Sequence, residues 1–475
     1  MTNKIQFGTD GWRGLIDSEV NNQTIAAVAQ AFAEYLWLNS KSTSLKTAVG
    51  YDGRKSSQKF AKVFARVLSG NGINTYLSEK ITATPIVSYY VHKHKLNAGV
   101  MITASHNPPN YNGVKFKAAY GGPFFTEQTK QVEELIGQNL VQANDDKIYQ
   151  ADFLADYTQH IEQLIDFNSI KNAKLNILID SMSGAGQQVI ENMFIKYEIP
   201  CKTIFKIAEK DFSGRLAEPI EKNLAPLRDE LLREKIYSLG IATDGDADRL
   251  GVMLENGRWL SAQQTILLLC DYIVNSKSLS GDIVKTSSVT DKLRTAFETG
   301  NRKVIDVQVG FKYICEKMIA HDTAFGCEES GGYAFKGHIP ERDGILSGLF
   351  FIEMLAKSGC SKLSTLNELK EKIFGEIFYD RIDLPYIKPN REEILPNIFA
   401  KNPSLISNFK VEKISEYYSS RNIINGIKFY LEGSNRWLLL RSSETEPMMR
   451  IYAEGNSVDE VRDLLEGGKK LVEDK

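Results

Sequence analysis

The sequence predicts three α/β domains with mixed sheets followed by a C-terminal α+β domain. Three observations carry that expectation. The chain has 475 residues, more than one ordinary core supports, so about three to four domains are expected. Strand–loop–helix units recur along most of its length, and the tail switches to consecutive strands closed by one helix.

The units follow in order. "KTAVGYDGRKSSQKFAKVFARVL" reads as a strand, a polar Gly-containing loop and a helix with an apolar stripe. "KLNILIDSMSGAGQQVIENMF" and "GDIVKTSSVTDKLRTAFE" repeat the plan. The tail "NIINGIKFYLEGSNRWLLLRSSETEPMMRIYAEG" reads as strands, with turns expected at Asn425-Gly426 and Gly433-Ser434. Ser457 then N-caps a last helix. Polar or proline-containing breaks near "QANDDK", "ENGRW" and "IDLPYIKPN" divide the chain into domains at 1–145, 146–257, 258–385 and 386–475.

Bulk composition excludes several classes. A formal net charge of -2 demands neither nucleic acid nor an anionic membrane as partner. Five scattered cysteines, an odd number without close pairs, read as reduced thiols rather than disulfides or a zinc site. The N-terminal stretch "MTNKIQFGTDGWRG" has no apolar signal core, and no apolar run is long enough to span a membrane. A cytoplasmic location is expected.

The chemistry concentrates in five short stretches. In "LGIATDGDADRLGVMLENG", two apolar strands flank Asp244, Asp246 and Asp248, so a tight turn can aim three carboxylates at one point. Three carboxylates that close repel unless a cation sits among them. The spacing also matches part of an EF-hand loop, but Arg249 stands where that loop needs Gly, and the flanks read as strands. Arg249 instead suits a phosphate beside the metal.

In "TASHNP", Ser105 follows an apolar run, and prolines 108 and 109 stiffen the loop. A phosphorylated Ser105 would offer oxygens to the cation and act as a covalent phosphoryl carrier. His106 is either an orienting group or a structural hydrogen-bonder. A Ser-His-Asp hydrolase lacks support, since no G-x-S-x-G elbow surrounds Ser105. "FGTDGWRG" packs glycines around Asp10 and Arg13, an anion clamp or a tight turn. "FGCEESGG" presents Glu328 and Ser330, suited to sugar hydroxyls or to a plain turn. "RSSETEPMMR" gathers Arg441, Ser443, Thr445 and Arg450 as a phosphate cradle or a polar hairpin loop. Lys115 and Lys312 are further cations.

In this order, the stretches resemble the α-D-phosphohexomutase family, which includes phosphoglucomutases and phosphomannomutases, across about residues 7 to 455. The resemblance implies four domains around a central cleft, each contributing one loop. Ser105 would be the phosphorylated serine, and Asp244, Asp246 and Asp248 would hold Mg²⁺ together with a phosphoryl oxygen on Ser105. Arg13, His106 and Lys115 would serve the transfer, with Lys115 a general acid/base. Arg249, Lys312, Glu328, Ser330, Arg441, Ser443 and Thr445 would bind substrate. The implied reaction interconverts hexose 1- and 6-phosphates through a hexose 1,6-bisphosphate, with small sugar phosphates as partners and a monomeric or homodimeric protein.

Two departures stand out. Glu444 replaces a common Gly in the phosphate loop, where an acid should weaken binding unless it points outward or pairs with Arg441 or Arg450. The sugar loop ends in Gly331-Gly332, where several mannose and glucosamine members have Gly-His, so the expected sugar is glucose, with a phosphomannomutase or phosphoglucosamine mutase as the alternative. A non-catalytic sugar-phosphate-binding paralogue is the reading from a different class.

Overall fold

A computed structural model describes residues 5–8, 10–386, 390–419, 422–443 and 448–473. Its strands form four sheets. The first holds β1 (Trp12–Leu15), β2 (Lys46–Tyr51), β3 (Asn74–Ser78), β4 (Ala98–Ile102), β5 (Tyr111–Ala118) and β6 (Ile148–Ala151), in the order β1-β5-β4-β2-β3-β6. It is mixed: β4, β2, β3 and β6 run parallel, and β5 lies antiparallel between β4 and β1.

The second contains β7 (Ile177–Asp180), β8 (Cys201–Ile204), β9 (Leu239–Thr243), β10 (Leu250–Leu254) and β11 (Trp259–Leu260). The third contains β12 (Asp282–Thr286), β13 (Val304–Val307), β14 (Thr323–Glu328) and β15 (Gly332–Phe335). Both combine parallel strands with an antiparallel edge.

The last sheet is antiparallel throughout: β16 (Phe378–Pro385), β17 (Leu405–Ile406), β18 (Phe409–Tyr418), β19 (Ile424–Leu431), β20 (Trp437–Ser442) and β21 (Met448–Gly455). The helix Val458–Glu473 packs on it, and the Ser457 hydroxyl accepts the Glu460 N–H at 3.2 Å as an N-cap.

Sheet pairing differs from the sequence reading at three places. Strand β6 lies past the break expected at 145, yet it pairs with β3 and belongs to the first sheet. Strand β16 lies before the break expected at 385, yet it pairs along its length with β21 in the last. Asn425-Gly426, expected as a turn, lies inside β19, where Gly426 pairs with Tyr417 and Arg441. A Cβ there would meet the Tyr417 ring at 3.4 Å, an ordinary contact, so pairing on both sides rather than crowding places this glycine in the strand. The turn at Gly433-Ser434 falls where expected, with Gly433 at φ +92°.

One apolar core runs through the first three domains. It joins Tyr89 and Tyr90 of the first to Tyr157 and Ile190 of the second and to Phe350 and Leu349 of the third. The fourth domain has its own core around Ile427, Leu438, Ile451 and Leu464.

Candidate active site

The chemistry-bearing loops leave the carboxyl ends of parallel strands, the edge where open α/β sheets bind ligands. Ser105 follows β4, Asp244 follows β9, and Glu328 ends β14. The three loops border a cleft of about 860 Å³, which Glu328 lines directly while Ser105 and Asp244 are buried behind His106 and Arg249. Its walls carry Arg13 and His106 of the first domain, Arg249 of the second, Lys312 and Glu328 of the third and Arg441 of the fourth.

Ser105 is buried and sits at φ +52°, a left-handed conformation uncommon for a residue with a side chain. Its surroundings enforce that geometry. Its N–H donates to Thr103 Oγ1 at 2.8 Å, and its hydroxyl lies 3.1 Å from Asp244 Oδ2 and 3.4 Å from His106 Nδ1. The Arg54 guanidinium ties the loop from beneath, donating to the carbonyls of Ser105 (2.5 Å), Asn107 (2.6 Å), Pro108 (2.7 Å) and Tyr111 (3.1 Å). Asp52 in turn braces Arg54 at 3.3 Å and accepts from the Thr103 hydroxyl at 2.6 Å.

The aspartate loop presses directly on this one. A Cβ on Gly245 would stand 2.4 Å from the Ser105 carbonyl oxygen, so only glycine permits the approach. The ligand atoms of Asp244, Asp246 and Asp248 lie within 4.8 Å of one another, all buried. Among the described residues, Asp246 Oδ1 and Asp248 Oδ1 have no hydrogen-bond partner. Buried carboxylate oxygens left unpaired are costly, and a hard divalent cation satisfies them, so this donor set fits such an ion. Burial and the neighbouring Asp248 and Asp246 push the Asp244 carboxyl well above its usual range. Asp246 is held low, Lys115 outweighing its burial.

Lys115, on β5, is buried with its ammonium 2.8 Å from each of Asp10, Asp246 and Asp248. Burial opposes its charge, but the three carboxylates prevail and hold it above its ordinary range, so here it is a fixed cation. The His106 imidazole is held well below its usual range by burial and by Arg249 and Arg13, and is therefore neutral. Arg13 donates to Asn107 Oδ1 at 3.0 Å, and Arg249 reaches Glu218 at 3.5 Å. The Lys312 ammonium lies 5.1 Å from the centre of the Tyr313 ring. Ser330 donates to Glu328 Oε1 at 2.6 Å. Arg441 and Ser443 line the far wall beside Arg381 and Arg450. Thr445 and Glu444 fall outside the described residues.

Sequence reasoning overlooked Arg54, Glu218, Arg342 and Arg381. Arg342 is buried and bridges three loops, donating to Asp10, to Asp248 at 2.7 Å and to Glu328 at 3.0 Å. The only sequence signal for it was an arginine before Asp343-Gly344, which resembles any helix start.

Comparison with known proteins agrees with this architecture. The chain matches the phosphoglucomutase/phosphomannomutase alpha/beta/alpha domain I at residues 4–142, domain II at 155–257 and domain III at 261–374, and the C-terminal domain at 397–467. It is 30% identical to a Methanobrevibacter smithii protein named "Probable phosphoglucosamine mutase", covering 100% of both chains. It is 27% identical to a Thermococcus kodakarensis "Phosphoglucomutase/phosphomannomutase", covering 98% of each. A solved structure from Thermus thermophilus, assigned as a phosphomannomutase, aligns over 100% of both chains with 32% identity and a TM-score of 0.85. The chain belongs to the phosphoglucomutase/phosphomannomutase family, enzymes that transfer phosphate between positions of a sugar.

Proposed function

We propose that this chain interconverts hexose 1-phosphates and hexose 6-phosphates, with Ser105 as the phosphoryl carrier. The observation that carries the reading is the Ser105 hydroxyl, buried 3.1 Å from Asp244 in a loop of three carboxylates where Asp246 Oδ1 and Asp248 Oδ1 lack hydrogen-bond partners among the described residues. Phospho-Ser105 gives its phosphoryl group to the free hydroxyl of a sugar 1-phosphate: the serine P–O bond breaks, the sugar P–O bond forms, and the proton of the sugar hydroxyl ends on the departing Ser105 oxygen. The resulting 1,6-bisphosphate turns over in the cleft, and Ser105 accepts the other phosphoryl group as its own hydroxyl proton leaves. His106, neutral and beside the serine, is an acceptor for that proton, while Lys115, expected as a general acid/base, is held as a cation by its three carboxylates and acts here as fixed charge.

Asp244, Asp246 and Asp248 would hold Mg²⁺, which supplies neutralisation of phosphoryl charge when bound. Lys115, Arg342 and Arg13 bring fixed positive charge to the same corner. Glu328 and Ser330 read sugar hydroxyls, while Arg441, Ser443 and Thr445 hold the phosphate that is not transferred. A bisphosphate primes the serine. Gly331-Gly332 favours glucose, but the names of the relatives support the phosphomannomutase or phosphoglucosamine mutase alternative better, and we rank those sugars first.

A ³¹P NMR time course tests this with glucose, mannose and glucosamine 1-phosphates, Mg²⁺ and a trace of hexose bisphosphate. The expected result is 1- to 6-phosphate conversion of one sugar without free phosphate, lost in Ser105→Ala and halted by a chelator. Steady release of inorganic phosphate, or three unchanged sugars, overturns it.

A further inference from the structure

The sugar loop contains a glycine that its backbone conformation does not require. Gly331 sits at φ +89°, where a side chain would strain the turn, whereas Gly332 lies outside the left-handed region. Gly332 opens β15 directly opposite Glu328. A Cβ there would stand 2.3 Å from Arg342 Cδ and 2.8 Å from its Cγ, with Glu328 Oε1 farther off at 3.2 Å. A flexible arginine ordinarily moves aside from such a contact. This one cannot do so freely, because its head is pinned among Asp10, Asp248 and Glu328.

We infer that Gly332 and Arg342 are a matched pair that sets how the sugar-reading carboxylate is presented. The missing side chain at 332 admits the arginine stem, and the guanidinium then fixes Glu328. Among the described residues, both protein bonds to that carboxylate, from Arg342 Nη1 at 3.0 Å and Ser330 Oγ at 2.6 Å, fall on Oε1. That leaves Oε2 for a ligand hydroxyl. The planar fork suits the task, since Nη1 serves Glu328 while Nη2 serves Asp10 and Asp248. An ammonium at this position would present one point of charge and could not hold the three loops in the same register. A larger residue at 332 would expel the arginine and place its own group across from Glu328. Position 332 thus governs how Glu328 is presented, and Arg342 is a positioning residue that acts through Glu328 and Asp248.

The kinetic half of this inference rests on the phosphohexomutase reading; the packing half does not. The test is a double-mutant cycle of Gly332→Ala and Arg342→Ala, with Arg342→Lys as the conservative variant. In thermal melts without ligand, Gly332→Ala should lower the midpoint in the wild-type background and have little effect beside Arg342→Ala, where the stem is gone. On the sugar that the unmodified enzyme converts, Gly332→Ala and Arg342→Ala should each raise KM about tenfold, the double variant no more than Arg342→Ala alone, and Arg342→Lys should recover part of the loss. Equal losses from Gly332→Ala in both backgrounds overturn the pairing. Arg342→Ala should lower kcat as well, since it also removes charge beside Asp248, whereas a fall in kcat at unchanged KM in Gly332→Ala overturns the positioning of Glu328. Inactivity of the unmodified enzyme on all three sugars overturns the mutase reading instead, and the melts still decide the pairing.

Discussion

Ser105 and the three aspartates are sealed between domains that share one apolar core, whereas Arg441, Arg450 and Arg381 line the opposite wall from a domain with a core of its own. The attachments differ in kind. The serine and aspartate loops touch backbone to backbone through Gly245, with the arginine and lysine heads beneath them buried. The fourth domain meets the third through polar contacts: Lys428 with Asp291 at 3.1 Å, Tyr430 with Asp306 at 3.1 Å, Arg381 with Glu329 at 2.9 Å, and the Glu454 carboxylate with the Thr290 hydroxyl and the Asp291 N–H. Polar interdomain contacts hold a domain less firmly than a shared core. Phosphoryl transfer depends on atoms placed to within a fraction of an ångström. Holding a distant phosphate needs positive charge and access. The molecule is stiff where bonds would change and looser where the sugar phosphate would be held.

The strongest way to break this contrast is to separate the two stiff loops. Gly245→Ala forces a Cβ against the Ser105 carbonyl and the Phe212 ring, at 2.4 Å and 3.2 Å. A displacement of that order should cost roughly 100-fold or more in kcat. Gly300→Ala is the control, since a Cβ there meets nothing within 4 Å. Circular dichroism establishes that both variants fold, and the ³¹P assay reads the rates. Near-normal turnover in Gly245→Ala would mean that the tight approach of the loops has no part in catalysis.

The looser wall should fail differently. Arg441→Ala removes a cation that lines the cleft but touches neither Ser105 nor the aspartates in the described structure. KM for the sugar phosphate should rise about tenfold with kcat changed much less. A kcat defect as deep as that of Gly245→Ala would erase the distinction between the two walls.

The same division governs what could be read from sequence. The stiff half was legible because short consecutive motifs encode it: "TASHNP" and "DGDADR" place their groups on turns whose flanking strands the apolar pattern reveals. The groups that hold those motifs in place were not. Arg54 stands 51 residues from Ser105, and Arg342 stands 94 from Asp248, so each contact exists only once sheets and helices have packed. Single arginines in polar loops look alike in sequence, whether they face solvent or four carbonyls. The strands β6 and β16 were placed on the wrong side of a break for a related reason. Polar, proline-containing stretches mark loops well, but which sheet an edge strand joins depends on pairing partners far away in the chain. Asn425-Gly426 has the composition of a hairpin turn, yet it lies inside a strand whose place is set by pairing with Tyr417 and Arg441 on either side.

The smallest expected effect concerns the shared core itself. His160 and His338 meet at 3.0 Å where the first three domains join, and His338 Nε2 lies 2.9 Å from Asp343, which also accepts the Tyr157 hydroxyl at 2.8 Å. Tyr89 stacks over His160 at 4.6 Å, and Asp343 caps the helix Gly344–Lys357. With Nε2 of His338 hydrogen-bonded to Asp343, a neutral His338 offers its Nδ1 as the acceptor for the His160 N–H. A second proton on His160 would put a charge into that half-buried contact. Burial, with His338 beside it, lowers the His160 pKa to about 4, against roughly 6.5 in the unfolded chain. Between those values the unfolded chain binds the extra proton and the folded one does not, so stability falls as pH drops through that window and is restored above it. The melting midpoint should decline on the order of 2 °C more in the wild type than in His160→Gln between about pH 7 and pH 4.5. His160→Gln keeps an N–H donor toward His338 while removing the titration. An unchanged slope in that variant would place the acid sensitivity elsewhere, and a steeper one would mean that the charged imidazole stabilises the three-domain junction.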